Sequence, residues 1–416
     1  MAASKNPPPE AFEPTPPSEA ELIMVGNPDA GLRASMTGVA SATGADVSAL
    51  STVLELAGAN AVPLFGDSED RIRDEQASLP AASEPEGDLP DLSVYYRIAA
   101  PAGSDIEALC GQLTGCKEVA AAYVKPPTHP AQEVAEPGAG EQATAGEMPP
   151  LTDVFDINEM MPDVNEAPPR TQDFTTRQAY LNTSPVGVDA LYAWRLSGGR
   201  GRNVRICDVE GGWNFGHEDL RVNQSGVIGQ NSSNSGWLNH GTAGVGEIGG
   251  DRNAYGITGI CPDANVRGVS IFGGVGTSGA LRRSASVLRA GDIILIELHR
   301  PGPNATGNGQ QGFIPIEWWP DDYAAIRYAV NKGIVVVEAA GNGGEDLDAA
   351  VYNQRPAGFP ADWRNPFNRR QRDSGAILVG AGAPPPGTNG RNHGPDRSRL
   401  GFSNYGAMVD AQGWGR

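Results

Sequence analysis

Several things are scarce in this chain. Its 416 residues include only 4 cysteines and 5 histidines. No Cys-x-x-Cys pair and no Cys/His cluster occurs, so the cysteines lack metal-ligand spacing. Cys110 and Cys116 could close a small disulfide loop or stay as packed thiols, while Cys207 and Cys261 sit among apolar residues and read as small core hydrophobes. No apolar run approaches the length of a membrane span, so no membrane partner is expected. The first ten residues carry one lysine and no hydrophobic core, so no secretory signal is read and the compartment stays unassigned. Positive charge is also short: 31 Lys and Arg stand against 50 Asp and Glu, a net charge of −19. Without a basic patch, nucleic acid is not an expected partner.

What the chain has in quantity is glycine (55) and proline (34), which suits a loop-rich α/β fold joined to less regular segments. The acidity is lopsided. Residues 1–170 hold 28 acidic and 8 basic side chains, whereas the remainder holds 22 and 23. Residues 1–20, rich in Pro, Glu and Ser, read as disordered, and 21–79 carry short helical patterns. A strand at 92–99, a helix from a Ser104 cap to 113 and a return strand at 117–125 make a small β-α-β unit closing a region 21–125. Residues 126–170, dense in Pro, Glu and Ala, read as a linker to a main domain at 171–416.

That main domain alternates strand and helix. Apolar strands at 203–207, 265–271, 292–298, 333–337 and 375–379 are separated by helical stretches starting near Gly241, Gly279 and Asp321. Unbroken Val/Ile runs between helices mean an α/β fold with a mainly parallel sheet covered on both faces. In such sheets function gathers at the carboxyl ends of the strands. Three polar residues stand there or close by. Asp208 follows the first strand, His240 opens a helix in Asn-His-Gly-Thr-Ala, and Asn342 lies in Glu-Ala-Ala-Gly-Asn after the fourth strand. An aspartate at a strand end can orient a histidine and stabilise its imidazolium. An asparagine amide can donate to a developing oxyanion. Each also has a plain structural use, as a cap or turn residue.

Taken in order, these motifs resemble the subtilisin-like serine peptidases. Val-Arg-Ile-Cys-Asp-Val at 204–209 is similar to that family's aspartate motif and is followed by His-Glu-Asp-Leu at 217–220. Asn-His-Gly-Thr-Ala at 239–243 is similar to its histidine motif, Glu-Ala-Ala-Gly-Asn at 338–342 to its oxyanion-asparagine motif, and Phe-Ser-Asn-Tyr-Gly at 402–406 to a late strand-turn. The resemblance covers about 185–416. It implies a subtilisin-like fold preceded by a small α+β propeptide-like domain, a polypeptide substrate, and the chain's own propeptide as a partner. Asp208 would orient His240 as general base, and Asn342 would serve the tetrahedral intermediate. Leu298 and Ala339, Ala340 and Gly341 would line the specificity pocket. No cofactor is required, although Asp219 and Asn253 match positions that often hold a structural calcium. Glu297 and His299 stand where Ser and Gly are usual, a departure beside the pocket.

The family's nucleophile lies in Gly-Thr-Ser-x-Ala, downstream of Phe-Ser-Asn-Tyr-Gly. The one such match here is at 276–280, between the His and Asn motifs, where Ser278 reads as the N-cap of a helix. The expectation is a serine endopeptidase precursor that stops before its serine and is inactive as it stands. The alternative is a non-catalytic pseudopeptidase that binds peptides or proteins. A nucleotide-binding reading of Gly-Gly-Arg-Gly at 198–201 fails, because those glycines precede their strand instead of opening a helix after it.

Overall fold

The structure is a computed structural model and describes residues 19–35, 38–79, 89–131 and 171–416. All but the last two residues of the disordered stretch expected at 1–20 and most of the linker expected at 126–170 lie outside these residues.

Seven parallel strands form the main sheet, in the spatial order Ala411–Trp414, Ile377–Gly382, Val335–Ala339, Ile293–Ile296, Arg205–Glu210, Asn265–Ser270, Gln224–Ile228. The first strand in sequence, Arg205–Glu210, is therefore interior. From it the chain passes to the edge strand Gln224–Ile228, returns to Asn265–Ser270, crosses to Ile293–Ile296 on the other side and then runs outward to Ala411–Trp414. The connections that leave Arg205–Glu210 and Ile293–Ile296 therefore diverge, and their carboxyl ends mark the switch point. Strand alternation sends successive side chains to opposite faces. Cys207 and Val209 join Ala280, Leu281 and Ala285 of the helix Gly276–Val287 in one core. Ile206 packs with Ile248 of the helix Ser235–Gly249 on the other face, where Asp208 also points, toward Trp213. Helices thus cover both faces, as the strand composition requires.

The N-terminal part is an antiparallel sheet ordered Asn60–Pro63, Tyr95–Ala99, Glu21–Gly26, Val119–Lys125. The helical patterns expected within 21–79 form, as Ser48–Ala57 and as Glu69–Ala77 capped by Ser68, but Leu-Ile-Met-Val at 22–25 is buried on both faces and forms a strand between the two expected ones. Leu22 and Met24 pack under the helices Ser48–Ala57 and Ile106–Thr114. Ile23 and Val25 face the other way, in the core shared with Ala280 and Ala324 of the main domain. The N-terminal sheet therefore sits on the helices Gly276–Val287 and Pro320–Asn331. Asp105, not Ser104, caps Ile106–Thr114, accepting from Ala108 N at 2.9 Å. All four cysteines are free thiols, so the loop disulfide between Cys110 and Cys116 does not form.

The main sheet buries an acid pair. Ser374 donates to Glu317, and Glu317 N donates to Glu338 Oε1 at 3.2 Å, with both glutamates in the interior. Burial is the main cause that lifts Glu317 to about 7 and holds Glu338 well above the usual carboxylate range. An unfolded glutamate loses its proton near pH 4.3. As pH rises from about 4.3 toward 7 the folded state alone keeps its protons, so the pair costs stability in that window and above it. Glu317→Gln is expected to leave the melting temperature at pH 4 nearly unchanged. At pH 8 it should stabilise by about 1–3 kcal/mol, read by thermal or urea unfolding at the two pH values.

Candidate active site

His240 lies in the second turn of the helix Ser235–Gly249, which Asn234 caps by accepting from Trp237 N at 3.2 Å. The strand below it runs three residues past the expected end at Cys207, to Glu210. This shifts the acid. Asp208 and Glu210 share one face of the strand, and the second of them stands at its tip. His240 Nδ1 meets Glu210 Oε1, and the residue after the histidine leaves the room for it. A side chain on Gly241 would collide with Glu210 Oε2 and with Gly212 O. Asp208 is spent elsewhere, accepting from Trp213 Nε1 at 2.7 Å beneath the site. The structure brings Glu210, and not Asp208, to the imidazole.

The electrostatics follow the same division. Burial, then the charges of Glu210 and Glu297, hold Asp208 well above the carboxylate range. Burial pushes Glu210 up to about 7, against the pull of His240. For His240 burial opposes the charged form, yet the charge and hydrogen bond of Glu210, then the charge of Glu297, lift it to about 10. Between about pH 7 and 10 the pair is glutamate and imidazolium. Glu297 is the second carboxylate at the ring, 3.8 Å from Nδ1, and fits beside Gly244, where an added side chain would meet its Oε2 at 2.8 Å.

The cleft next to His240 is not empty. The expected linker begins with ordered residues: His129 and Pro130 pair antiparallel with His299 and Leu298. Ala131 N donates to Glu297 O at 3.1 Å, and His240 hydrogen-bonds the Ala131 backbone. Gln310 Nε2 donates to Pro130 O at 2.8 Å, and its Oε1 accepts from Asn342 Nδ2 at 3.2 Å. Asn342 N donates to His299 Nδ1 at 3.1 Å, which agrees with a neutral His299, lowered to about 3 chiefly by burial. Leu298 thus meets the segment directly, and Asn342 reaches it through Gln310. Ala340 O and Gly341 O are tied to Asn404, from its Nδ2 at 2.7 Å and its N at 3.0 Å, which fixes the turn that follows Ala339.

Asp219 and Asn253 come together, but the amide of Asn253 donates to the carboxylate, which also accepts from Ile257 N at 3.1 Å. Asn253 Oδ1 in turn accepts from Tyr255 N at 2.9 Å. A hard cation needs oxygen acceptors turned toward it, and Asp219 Oδ1 is buried and accepts no hydrogen bond, which leaves one such oxygen beside Asn253. Among the described residues, no group of three or more His, Cys, Asp and Glu side chains gathers as a metal cage. Ser278 is not an N-cap. It lies inside the first turn of Gly276–Val287, fully buried, next to Thr277, which binds Asp322 and Arg300.

Two residues beside His240 lie outside the expected set, and each leaves a mark in the sequence. Glu210 directly precedes the Gly-Gly that ends the strand, which makes it the strand-end acid. Glu297 was visible only as a departure from the family pattern.

A parallel α/β sheet thus carries a carboxylate at its switch point with a helix-borne histidine against it. A sequence profile described as the subtilase family matches residues 201–413, and the chain belongs to that family of serine-type peptidases. It is 29% identical over 182 residues to a subtilisin of Bacillus sp. (strain TA39), covering 40% of this chain and 40% of that protein. It is 26% identical over 193 residues to the major intracellular serine protease of Bacillus subtilis (strain 168), covering 43% and 56%. The chain thus spans about half the length of these relatives. Among solved structures, the epidermin leader peptide processing serine protease of Staphylococcus aureus aligns over 95% of this chain and 75% of its own, with 14% identity and a TM-score of 0.44.

The two candidate acids are separable by titration. In Glu210→Gln the imidazole of His240 is expected to titrate at least about one pH unit below its value of about 10, whereas Asp208→Asn should move it far less. With 5 histidines in the chain, carbon-13 imidazole NMR resolves the comparison. The opposite ranking would return the orienting role to Asp208.

Proposed function

We propose that this chain is a serine endopeptidase precursor of the subtilase family, with residues 19–131 laid over its own cleft as an inhibitory propeptide. The observation that carries this reading is the antiparallel pairing of His129 and Pro130 with His299 and Leu298, which delivers the Ala131 backbone to His240. An extended peptide added to an exposed strand is how such clefts take polypeptide, through main-chain hydrogen bonds. Ala131 then occupies the acyl side of the bond to be cut, and processing falls after it.

In this reading His240 is the general base and acid, and Glu210 orients it and balances its charge. Asp208 supports the site from below through Trp213. Asn342 donates to the oxyanion once Gln310 and the tail have left, and Leu298, Ala339, Ala340 and Gly341 line the substrate's path. Docking of the tail adds a hydrogen bond that favours the imidazolium, a smaller contribution than those of Glu210 and Glu297, which stay when the tail leaves. The only Gly-Thr-Ser-x-Ala of the 416 residues, at 276–280, begins a buried helix and does not supply the nucleophile. Taken alone, these residues bind and orient but do not acylate.

A fluorophosphonate probe is expected to leave the 416-residue chain unlabelled, and labelling that vanishes in Ser278→Ala would overturn that assignment. The decisive experiment reads the gene past the Arg416 codon and expresses the product. If a Gly-Thr-Ser-x-Ala element follows, the product should hydrolyse casein and release 1–131. Its His240→Ala and Glu210→Gln variants should lose about ten-thousand-fold in kcat. A gene with no such element favours the peptide-binding pseudopeptidase.

A further inference from the structure

The contact between the two domains is centred on a charge cluster that the peptidase chemistry does not use. Lys125, the last residue of the strand Val119–Lys125, is fully buried. Its Nζ meets Asp321 Oδ2, lies 3.3 Å from both Asp322 Oδ1 and Thr277 Oγ1, and is 3.4 Å from Glu21 Oε2. Tyr123 OH donates to Asp321 Oδ1 at 2.9 Å. Arg300 closes the pocket's rim: Nη2 donates to Thr277 Oγ1 at 2.7 Å, Nε lies 3.6 Å from Asp322 Oδ2, and Nη1 donates to Pro126 O. Thr277, Arg300, Asp321 and Asp322 are all fully buried, and all belong to the main domain. Lys125, Glu21 and Tyr123 come from the N-terminal part.

The walls and the guest are therefore separable. On its own the main-domain side carries two carboxylates and one guanidinium, and a single added positive charge neutralises it. Three acceptors, Asp321 Oδ2, Asp322 Oδ1 and Thr277 Oγ1, surround one point, which matches the three donors of an ammonium. A planar guanidinium presents its donors as a flat fork and would need more width. Burial penalises a lone charge on either side, so the walls need a cation as much as the lysine needs acids. The same chain then runs from Pro126, held by Arg300, to Ala131 at His240.

We propose that Thr277, Asp321 and Asp322 form a subsite for a primary ammonium, which accepts a lysine six residues before the residue that faces His240. Lys125 fills it here. The positional part rests on the reading that residues 126–131 follow the path of a bound polypeptide; the ammonium site does not.

The test uses the full chain carrying Lys125→Ala and follows amide hydrogen exchange across residues 119–131, with ethylammonium or tetramethylammonium chloride at matched ionic strength. Exchange in this segment is expected to rise about tenfold or more in the variant, as docking weakens. Ethylammonium should restore protection saturably. Tetramethylammonium, equal in charge but without donors, should not, and Asp321→Asn in the same chain should abolish the rescue. Equal action of the two cations, or rescue that survives Asp321→Asn, overturns the site. Should Lys125→Ala fold only with added cation, refolded yield gives the same comparison. Lys125→Arg is expected to exchange faster than the unaltered chain, and equal protection would overturn the preference for an ammonium. If the longer product hydrolyses peptides, those with lysine six residues before the residue at His240 should show a KM about tenfold below those with norleucine. Equal KM overturns the positional claim, whereas absence of hydrolysis counts against the peptidase reading and leaves the ammonium result to decide the site.

Discussion

The contact of Glu210 with His240 is the point on which the rest of the site depends. It exists because the interior strand Arg205–Glu210 ends where connections leave in opposite directions, so a cleft opens above its last residue. A carboxylate buried there is costly unless it finds a cation. The imidazole of His240 is that cation, and Gly241 is the residue that lets the two approach. Every other element around the cleft stands in relation to this pair. Trp213 and Asp208 floor it, Glu297 adds a second carboxylate beside the ring, and the Ala131 backbone lies against it.

The N-terminal part is placed by two kinds of contact that act over different lengths. Ile23, Val25 and Tyr123 bury one face of its sheet on the helices of the main domain, which orients it as a body. Lys125 and the six residues after it then thread a single strand into the cleft. The apolar contact has no direction of its own. The buried charges supply one, because an ammonium among two carboxylates and a hydroxyl tolerates little displacement. Placing the charge cluster at the root of the tail fixes where the tail starts, and strand pairing fixes where it ends.

Much of this was readable in advance. Val/Ile runs alternating with helices implied a covered parallel sheet, and the spacing of Asn-His-Gly-Thr-Ala and Glu-Ala-Ala-Gly-Asn marked two walls of the cleft. The misreadings share one cause, which is that short-range pattern does not show where a strand stops or what it pairs with. Leu22–Val25 is too short for periodicity to separate helix from strand, and only its two neighbours decide it. Asp208 and Glu210 share a strand face, so the sequence offers two acids two residues apart. Where the histidine comes to rest decides between them. Residues 126–131 carry three prolines and look like linker, yet proline suits an extended edge segment that lacks one donor.

By itself the sequence determined the class of fold and the family, because sheet burial and short motifs leave local marks in residue order. Tertiary structure decided which acid meets the histidine, what lies in the cleft and the place of Lys125. These depend on the approach of segments far apart in the chain, and the energy of a buried charge is set by what surrounds it rather than by its neighbours in sequence.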